Sequence, residues 1–406
     1  MNSLTDTSQK EELADLLLEI KSYNLKEVKL TNISSGHKEL TQNNFLQILK
    51  KIHKENKYVI VDVRSEKEYE KNSIPYSVNL PILNNIERHK VGLLYAKHSK
   101  EKALSLAYYF AEQKELQFID AIKNKSQNKT IIIYCWRGGE RSKYVANLLQ
   151  KNNIEVLRLQ GGQKGFRKSV FNFLYNKSIP IISLSGLTGC GKSEILDYIQ
   201  KNYPRFPVLH LENCASHASS VFGKIRFNLR GETTKNQQQF ESNIFSELLP
   251  HIDENDNLPV FLSENESKKI GKLIIPPAVL NGLQKGNHIC ITCPMGKRIE
   301  RLTADYFGRG NSSTNLKISA KENVKEQLQF LSKKLSKEKI KEYIEWIDRE
   351  DYYNFFKDIM ENYYDNIYKK PENDALCTID NSGIKSTVNS IFKYWEQKVL
   401  SGNLFF

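Results

Sequence analysis

Cysteine is scarce and scattered in this chain: six in 406 residues, at positions 135, 190, 214, 290, 293 and 377. So thin a distribution excludes a disulfide framework and fits reduced thiols in a cytosol. Long apolar runs are missing as well. No stretch approaches the roughly 18 apolar residues that a membrane span needs. The opening MNSLTDTSQKEELADLLLEIKSYN has no basic segment leading into an apolar one, so the expectation is a cytoplasmic protein without membrane contact. Neither an internal repeat nor a low-complexity linker is present, and the domains are expected to pack closely. Acid is the minority charge: 47 Asp and Glu stand against 60 Lys and Arg, a net charge of +13 and a pI near 9.2. That balance favours a polyanionic partner such as a nucleic acid or a diphosphate. A lysine-rich composition alone would give the same number, so charge supports an argument made elsewhere.

What is present is organised around two glycine-rich turns. At 406 residues the chain has room for two domains and a smaller element. Residues 1–38 are polar with one amphipathic stretch (Leu13, Leu16, Leu17, Ile20) and read as a helical or flexible extension without assigned function. The runs YVIVDV from 58, TIIIYC from 130 and IEVLRL from 154 are short, β-branched and bounded by turns, as in the buried strands of a parallel sheet. Helical patterns lie between them, which assigns residues 39–178 to an α/β domain. The cycle restarts after Pro180, and PVLHL, PVFLSE and HICITC supply further strands for a second α/β domain over 179–310. Beyond 311 the glycine and β-branched signals fade, and a helical C-terminal region is predicted for 311–406.

The first turn, Cys135-Trp136-Arg137-Gly138-Gly139-Glu140-Arg141-Ser142, follows a strand and precedes a helix. Backbone N–H groups at such a turn can converge on one sulfur, helped by the positive end of the helix and by Arg137 and Arg141. Those surroundings favour a thiolate able to carry a transferable sulfur or selenium atom. A buried core cysteine before a tight turn is the plain alternative, disfavoured by two glycines and two arginines in the six following positions. Upstream, Asp62-Val63-Arg64-Ser65 with Glu68, Tyr69, Ile74-Pro75 and Asn79-Leu80-Pro81 resembles the opening signature of rhodanese domains. Asp62 and Arg64 themselves read more readily as a structural ion pair than as catalytic groups.

The second turn, Gly186-Leu187-Thr188-Gly189-Cys190-Gly191-Lys192-Ser193, fits G-x-x-x-x-G-K-[ST] with the strand before and helix after that the pattern requires. Here Gly186, Thr188, Gly189 and Gly191 let backbone N–H groups wrap phosphate oxygens, Lys192 adds a point charge, and the Ser193 hydroxyl can ligate Mg²⁺. An NTP is the default ligand, yet any diphosphate with Mg²⁺ satisfies the same geometry. No tightly bound cofactor is expected. Glu264 and Glu266, after an apolar strand, are candidates for a metal-side carboxylate or for ordinary surface acids. Cys290 and Cys293 have CxxC spacing, but they fall on a strand with no second pair, which argues against zinc or redox chemistry.

The order of the two turns in one chain resembles the bacterial tRNA 2-selenouridine synthase family, and the similarity runs from about residue 55 to 370. Asn84-Asn85-Ile86-Glu87-Arg88-His89-Lys90-Val91-Gly92 with Tyr95 resembles a segment this family inserts, and Gly161-Gly162-Gln163-Lys164 with Arg167 resembles its close of the rhodanese domain. Leu211-Glu212 with His217, Ser220, Phe222 and Gly223 is similar to its LEGLAxHRGSxFG stretch, followed by Phe240-Glu241. Glu264-Asn265-Glu266-Ser267 with Ile270-Gly271 is similar to EDESxxIG, and Glu300-Arg301-Leu302, Tyr306, Tyr364-Asp365 and Tyr368 complete the set. Ala218 and Ser219 stand where the family pattern has arginine and glycine, and Asn265 where it has aspartate.

The resemblance implies replacement of sulfur by selenium at C2 of the wobble 2-thiouridine of tRNA, through an S-geranylated intermediate. Its substrates are then geranyl diphosphate, selenophosphate and the anticodon stem-loop of the tRNA. On this reading the phosphate loop holds the diphosphate, Cys135 serves selenium delivery, and Glu212, His217, Glu264 and Glu266 are supporting residues. Two rivals remain. One is a tRNA sulfurtransferase coupled to an NTPase; the other is a non-catalytic tRNA-binding protein of steep salt dependence. Aromatic residues among the lysines at 342–370 (Tyr343, Trp346, Tyr352, Tyr353, Tyr363, Tyr364, Tyr368) could stack on bases, but more of them read as helical core.

Overall fold

A computed structural model describes residues 2–26, 38–253, 255–285, 287–308, 314–367 and 375–400. The chain divides into two compact units, Met1–Ser169 and Val170–Phe406.

The first unit is built on a five-stranded parallel sheet of order β1-β5-β4-β2-β3. Its strands are β1 (Lys38–Leu40), β2 (Tyr58–Asp62), β3 (Ser77–Asn79), β4 (Thr130–Tyr134) and β5 (Val156–Leu159). β4 is central and its isoleucines are buried on both faces, which is why TIIIY reads as a continuous apolar run rather than an alternating one. Val145, Ala146 and Leu149 of the helix Glu140–Lys151 and Phe118, Ile119 and Ile122 of the helix Glu115–Ser126 pack into this core. The amphipathic stretch near the amino end is helical over Asn2–Glu19. Its Leu16, with Ile20 just beyond it, packs against Leu93, Leu94 and Leu106.

The second unit repeats the architecture: a parallel sheet of order β12-β11-β6-β8-β7. Its strands are β6 (Ile181–Ser185), β7 (Val208–Leu209), β8 (Phe261–Glu264), β11 (His288–Thr292) and β12 (Cys377–Asp380), while β9 (Lys269–Ile270) and β10 (Leu273–Ile274) form a separate antiparallel pair. The predicted helical region is present as the helices Thr314–Leu328, Lys337–Asp348 and Tyr352–Ile359. One part of the sequence reading needs correction, because β12 lies within 311–406 and returns the chain to the sheet beside β11. Tyr343 and Tyr364 are buried in the helical core, and Trp346, Tyr352 and Tyr363 pack against it. Of the other aromatics in that run, Tyr353 is exposed, and Tyr368 lies outside the described residues. Among the described residues no helix is long and apolar enough to cross a membrane.

Candidate active site

In the first unit the cysteine loop leaves the carboxyl end of the central strand, where open parallel sheets place their ligands. Cys135 is 3 % exposed. Its Sγ accepts from the Gly139 N–H at 3.2 Å and lies 3.2 Å from the Ser142 hydroxyl. The backbone is locked from outside: Gln163 N donates to the Cys135 carbonyl and Lys164 N to that of Trp136, each at 2.9 Å. Gly162 makes this approach possible, since its φ is +52° and a Cβ there would lie 2.2 Å from the Cys135 oxygen.

Neither arginine of this loop is a hydrogen-bond partner of the sulfur. Arg141 forms a two-pronged ion pair with Glu68, its Nη2 donating to Oε1 at 3.0 Å. Arg137 is exposed. Burial would raise the Glu68 carboxyl, but Arg141, the Ser65 N–H and Arg88 outweigh it and hold it down at about 2. Asp62 and Arg64 form the structural ion pair the sequence favoured. Arg64 Nη2 donates to Asp62 at 2.6 Å and to the Asn72 carbonyl at 2.7 Å, with both side chains buried.

In the second unit the phosphate loop joins β6 to the helix Lys192–Asn202 and opens on a cleft of about 820 Å³. Gly186, Thr188, Gly189, Gly191, Lys192 and Ser193 all line it. Gly186 has φ +136°, and a Cβ there would come within 2.3 Å of the Ile291 carbonyl oxygen. Lys192 Nζ donates to the Gly186 carbonyl at 2.8 Å, which keeps the ammonium at the mouth of the loop.

Opposite the loop, Glu212 accepts from the Ser193 hydroxyl at 2.7 Å and from Arg226 at 3.0 Å. Burial works to raise the Glu212 carboxyl, but Arg226 and Ser193 hold it below the usual carboxylate range. Glu266, which accepts from the Ser219 hydroxyl, is pushed up to about 8 by burial and by the charge of Glu212. Of these two carboxyls, Glu212 is therefore held ionised and Glu266 protonated near neutral pH. Asp305, Arg226 and Arg230 complete its far wall.

Two predicted residues fall elsewhere. Glu264 turns away from the cleft: its Oε2 accepts from the Leu211 N–H at 2.9 Å and its other oxygen meets the buried His210. His210 also faces Asp197 at 3.1 Å. Burial opposes its charge, but Glu264 and Asp197 raise it to about 10, so it is an imidazolium inside the fold. His217 is not part of the cleft lining; its ring lies against Gly223 and Gly271, where a Cβ would come 2.6 Å and 3.0 Å from it. The motif glycines thus make room for a packed histidine.

Arg298, Asn381 and Arg226 are positioning groups the sequence reading did not name, and Arg301 and Asp365, named there only as parts of family motifs, join them. Arg298 donates to the Thr188 carbonyl at 2.8 Å and pairs with both oxygens of Asp365, tying the helical region to the loop. Asn381, at the end of β12, is fully buried and donates to the Cys190 carbonyl at 2.9 Å. Arg301 pairs with Glu194 and reaches Cys293 Sγ at 2.9 Å, while Cys290 lies in the sheet core, so the CxxC spacing serves packing around the loop. Arg226 carried no recognisable spacing from the phosphate loop and becomes legible only once the Glu212 helix is placed.

Fold and loops together define a rhodanese-like α/β unit followed by a P-loop α/β unit. Residues 45–169 match the model of the rhodanese-like domain, and residues 179–399 match that of the tRNA 2-selenouridine synthase AAA domain. Curated tRNA 2-selenouridine synthases are similar to the chain. That of Shewanella frigidimarina (strain NCIMB 400) is 32 % identical over 251 residues, 61 % of this chain and 65 % of the relative. That of Shewanella pealeana (strain ATCC 700345 / ANG-SQ1) is 29 % identical over 285 residues, 69 % and 74 % of the two chains. A third, from Psychromonas ingrahamii (strain DSM 17664 / CCUG 51855 / 37), is 26 % identical over 332 residues, 76 % and 87 %. The chain belongs to the tRNA 2-selenouridine synthase family.

Proposed function

We propose that this protein is a cytoplasmic transferase that replaces sulfur by selenium at C2 of wobble 2-thiouridine in tRNA. The thiouridine sulfur is first alkylated by geranyl diphosphate; selenophosphate then supplies the selenium that displaces the geranyl thiol. In this reading the phosphate loop binds and neutralises the leaving diphosphate, and Cys135 serves the selenium-delivery step. The observation that carries it is the pairing, in a member of this family, of a phosphate loop opening on a cleft with a cysteine whose sulfur receives a backbone N–H. The basic chain fits an RNA substrate.

Magnesium fits the cleft, because the Ser193 hydroxyl and the Glu212 carboxylate already sit together beside Lys192. Among the described residues no three His, Cys, Asp or Glu side chains form a metal site by themselves. The cation would thus complete its shell with diphosphate oxygens and water, as Mg²⁺ does at phosphate loops. Bound there, it would neutralise charge developing on the diphosphate. Lys192 and Arg226 orient the same group, and Glu212 fixes the Ser193 hydroxyl.

The direct test is mass spectrometry of wobble nucleosides after incubating tRNA bearing 2-thiouridine with the protein, geranyl diphosphate and selenophosphate. S-geranyl-2-thiouridine followed by 2-selenouridine is the expected result. Steady NTP turnover without tRNA and no selenium incorporation would instead establish a sulfurtransferase coupled to an NTPase.

A further inference from the structure

We propose that Trp136, Arg137 and Lys164 form a landing for one unpaired nucleotide of an RNA loop, outside the cysteine loop. The indole stacks on the base, and the two cations take the flanking phosphates. This rests on the function proposed above and adds to it the surface by which the nucleotide reaches Cys135.

The chain has three tryptophans. Trp395 is buried in the core beside the second sheet and Trp346 packs on the helical core. Trp136 is 38 % exposed, although it directly follows a cysteine that is 3 % exposed. Leaving an indole in water brings the fold nothing, whereas its flat face is the platform on which single-stranded bases stack. The Trp136 backbone is held in place, because the Lys164 N–H donates to its carbonyl at 2.9 Å.

The charges around it are sorted. Arg64 pairs with Asp62, Arg141 with Glu68 and Arg158 with Glu39, and Arg88 lies 3.8 Å from Glu68. Arg137 and Lys164 are exposed and make no ion pair with any described residue. Arg137, next to Trp136 in the chain, and Lys164, whose backbone meets that of Trp136, are thus cations left without an internal counter-charge among the described residues. A ligand with a π-face between two anionic groups matches that arrangement. A nucleotide in an RNA loop has both, whereas a base-paired one keeps its face covered. The same loop then brings the base over the sulfur held by Gly139 N and Ser142.

The test uses the full chain and a synthetic anticodon stem-loop bearing 2-thiouridine, with the same strand annealed to its complement as control. Wild-type protein is expected to bind the stem-loop in preference to the duplex, to show quenched tryptophan emission, and to have Cys135 shielded from iodoacetamide. Trp136→Ala should weaken binding on the order of tenfold and lose the quench, while Trp136→Phe keeps most of the affinity. Arg137→Gln with Lys164→Gln should flatten the slope of log affinity against log salt by about 1.4, two single-strand phosphate contacts. Trp136→Ala binding at wild-type strength with Cys135 still shielded, in a protein that selenates tRNA, would overturn the proposal and leave the function standing. Wild-type protein that neither binds nor modifies tRNA overturns both.

Discussion

At the residue scale, Glu68 does two things: it caps the helix Glu66–Lys71 through the Ser65 N–H and anchors Arg141 behind the cysteine loop. Its carboxyl is held at about 2 in the folded chain against an ordinary value of 4.5. The stabilisation is therefore complete above about pH 4.5 and is lost as pH falls toward 2. Glu68→Gln is expected to cost on the order of 2 kcal/mol near neutral pH, with the difference from wild type shrinking below about pH 4 in urea titrations. Equal gaps at both pH values would show that the ion pair contributes nothing. Gly162→Ala meets the Cys135 carbonyl and an unfavourable φ together, so a loss of roughly 2 kcal/mol or more in melting experiments is expected, with faster alkylation of Cys135 as its loop opens. Cys135 and Lys192 were legible because each motif dictates its own backbone over a few residues. The partner of Arg141 was not, since Glu68 lies 73 residues away and only the folded sheet brings them together.

At the scale of elements, β2, β4, β5, β6, β8 and β11 were readable as short, mainly apolar blocks bounded by turns, because strands of a parallel sheet covered on both faces bury most of their side chains. The three-residue strands β1 and β3 are too short to show any period, whereas the two residues of β7 were caught inside the apolar block PVLHL. β12 was missed for a further reason: it is an edge strand with alternating exposure, following a long helical stretch. Its importance lies in Asn381, which holds the Cys190 carbonyl and is itself oriented by Thr387. Asn381→Ala is expected to cost about 2 kcal/mol by stranding a buried carbonyl, and to weaken diphosphate binding measured by calorimetry. An unchanged affinity would mean the loop keeps its shape without that bond. Glu264 shows the opposite failure: a carboxylate at a strand end suits a metal by pattern, but His210, already in the fold, claims it.

At the scale of the whole molecule, the two loops belong to separate compact units, so their chemistry is expected to separate by mutation. Lys192→Ala should abolish diphosphate binding and S-geranylation while leaving Cys135 alkylation unchanged. Cys135→Ala should still accumulate the S-geranyl nucleoside and fail to convert it to selenouridine. Conversion at the normal rate in that variant would remove Cys135 from selenium delivery.

Asn381 and the Cys190 carbonyl it grips are separated by 191 positions along the chain. A ribosome delivers residues from the amino end, so the phosphate cradle emerges long before the side chain that fastens it. Nascent protein therefore carries an unfastened cradle while those 191 residues are added, and full-strength nucleotide or pyrophosphate capture is expected only after Asn381 has emerged and folded into place.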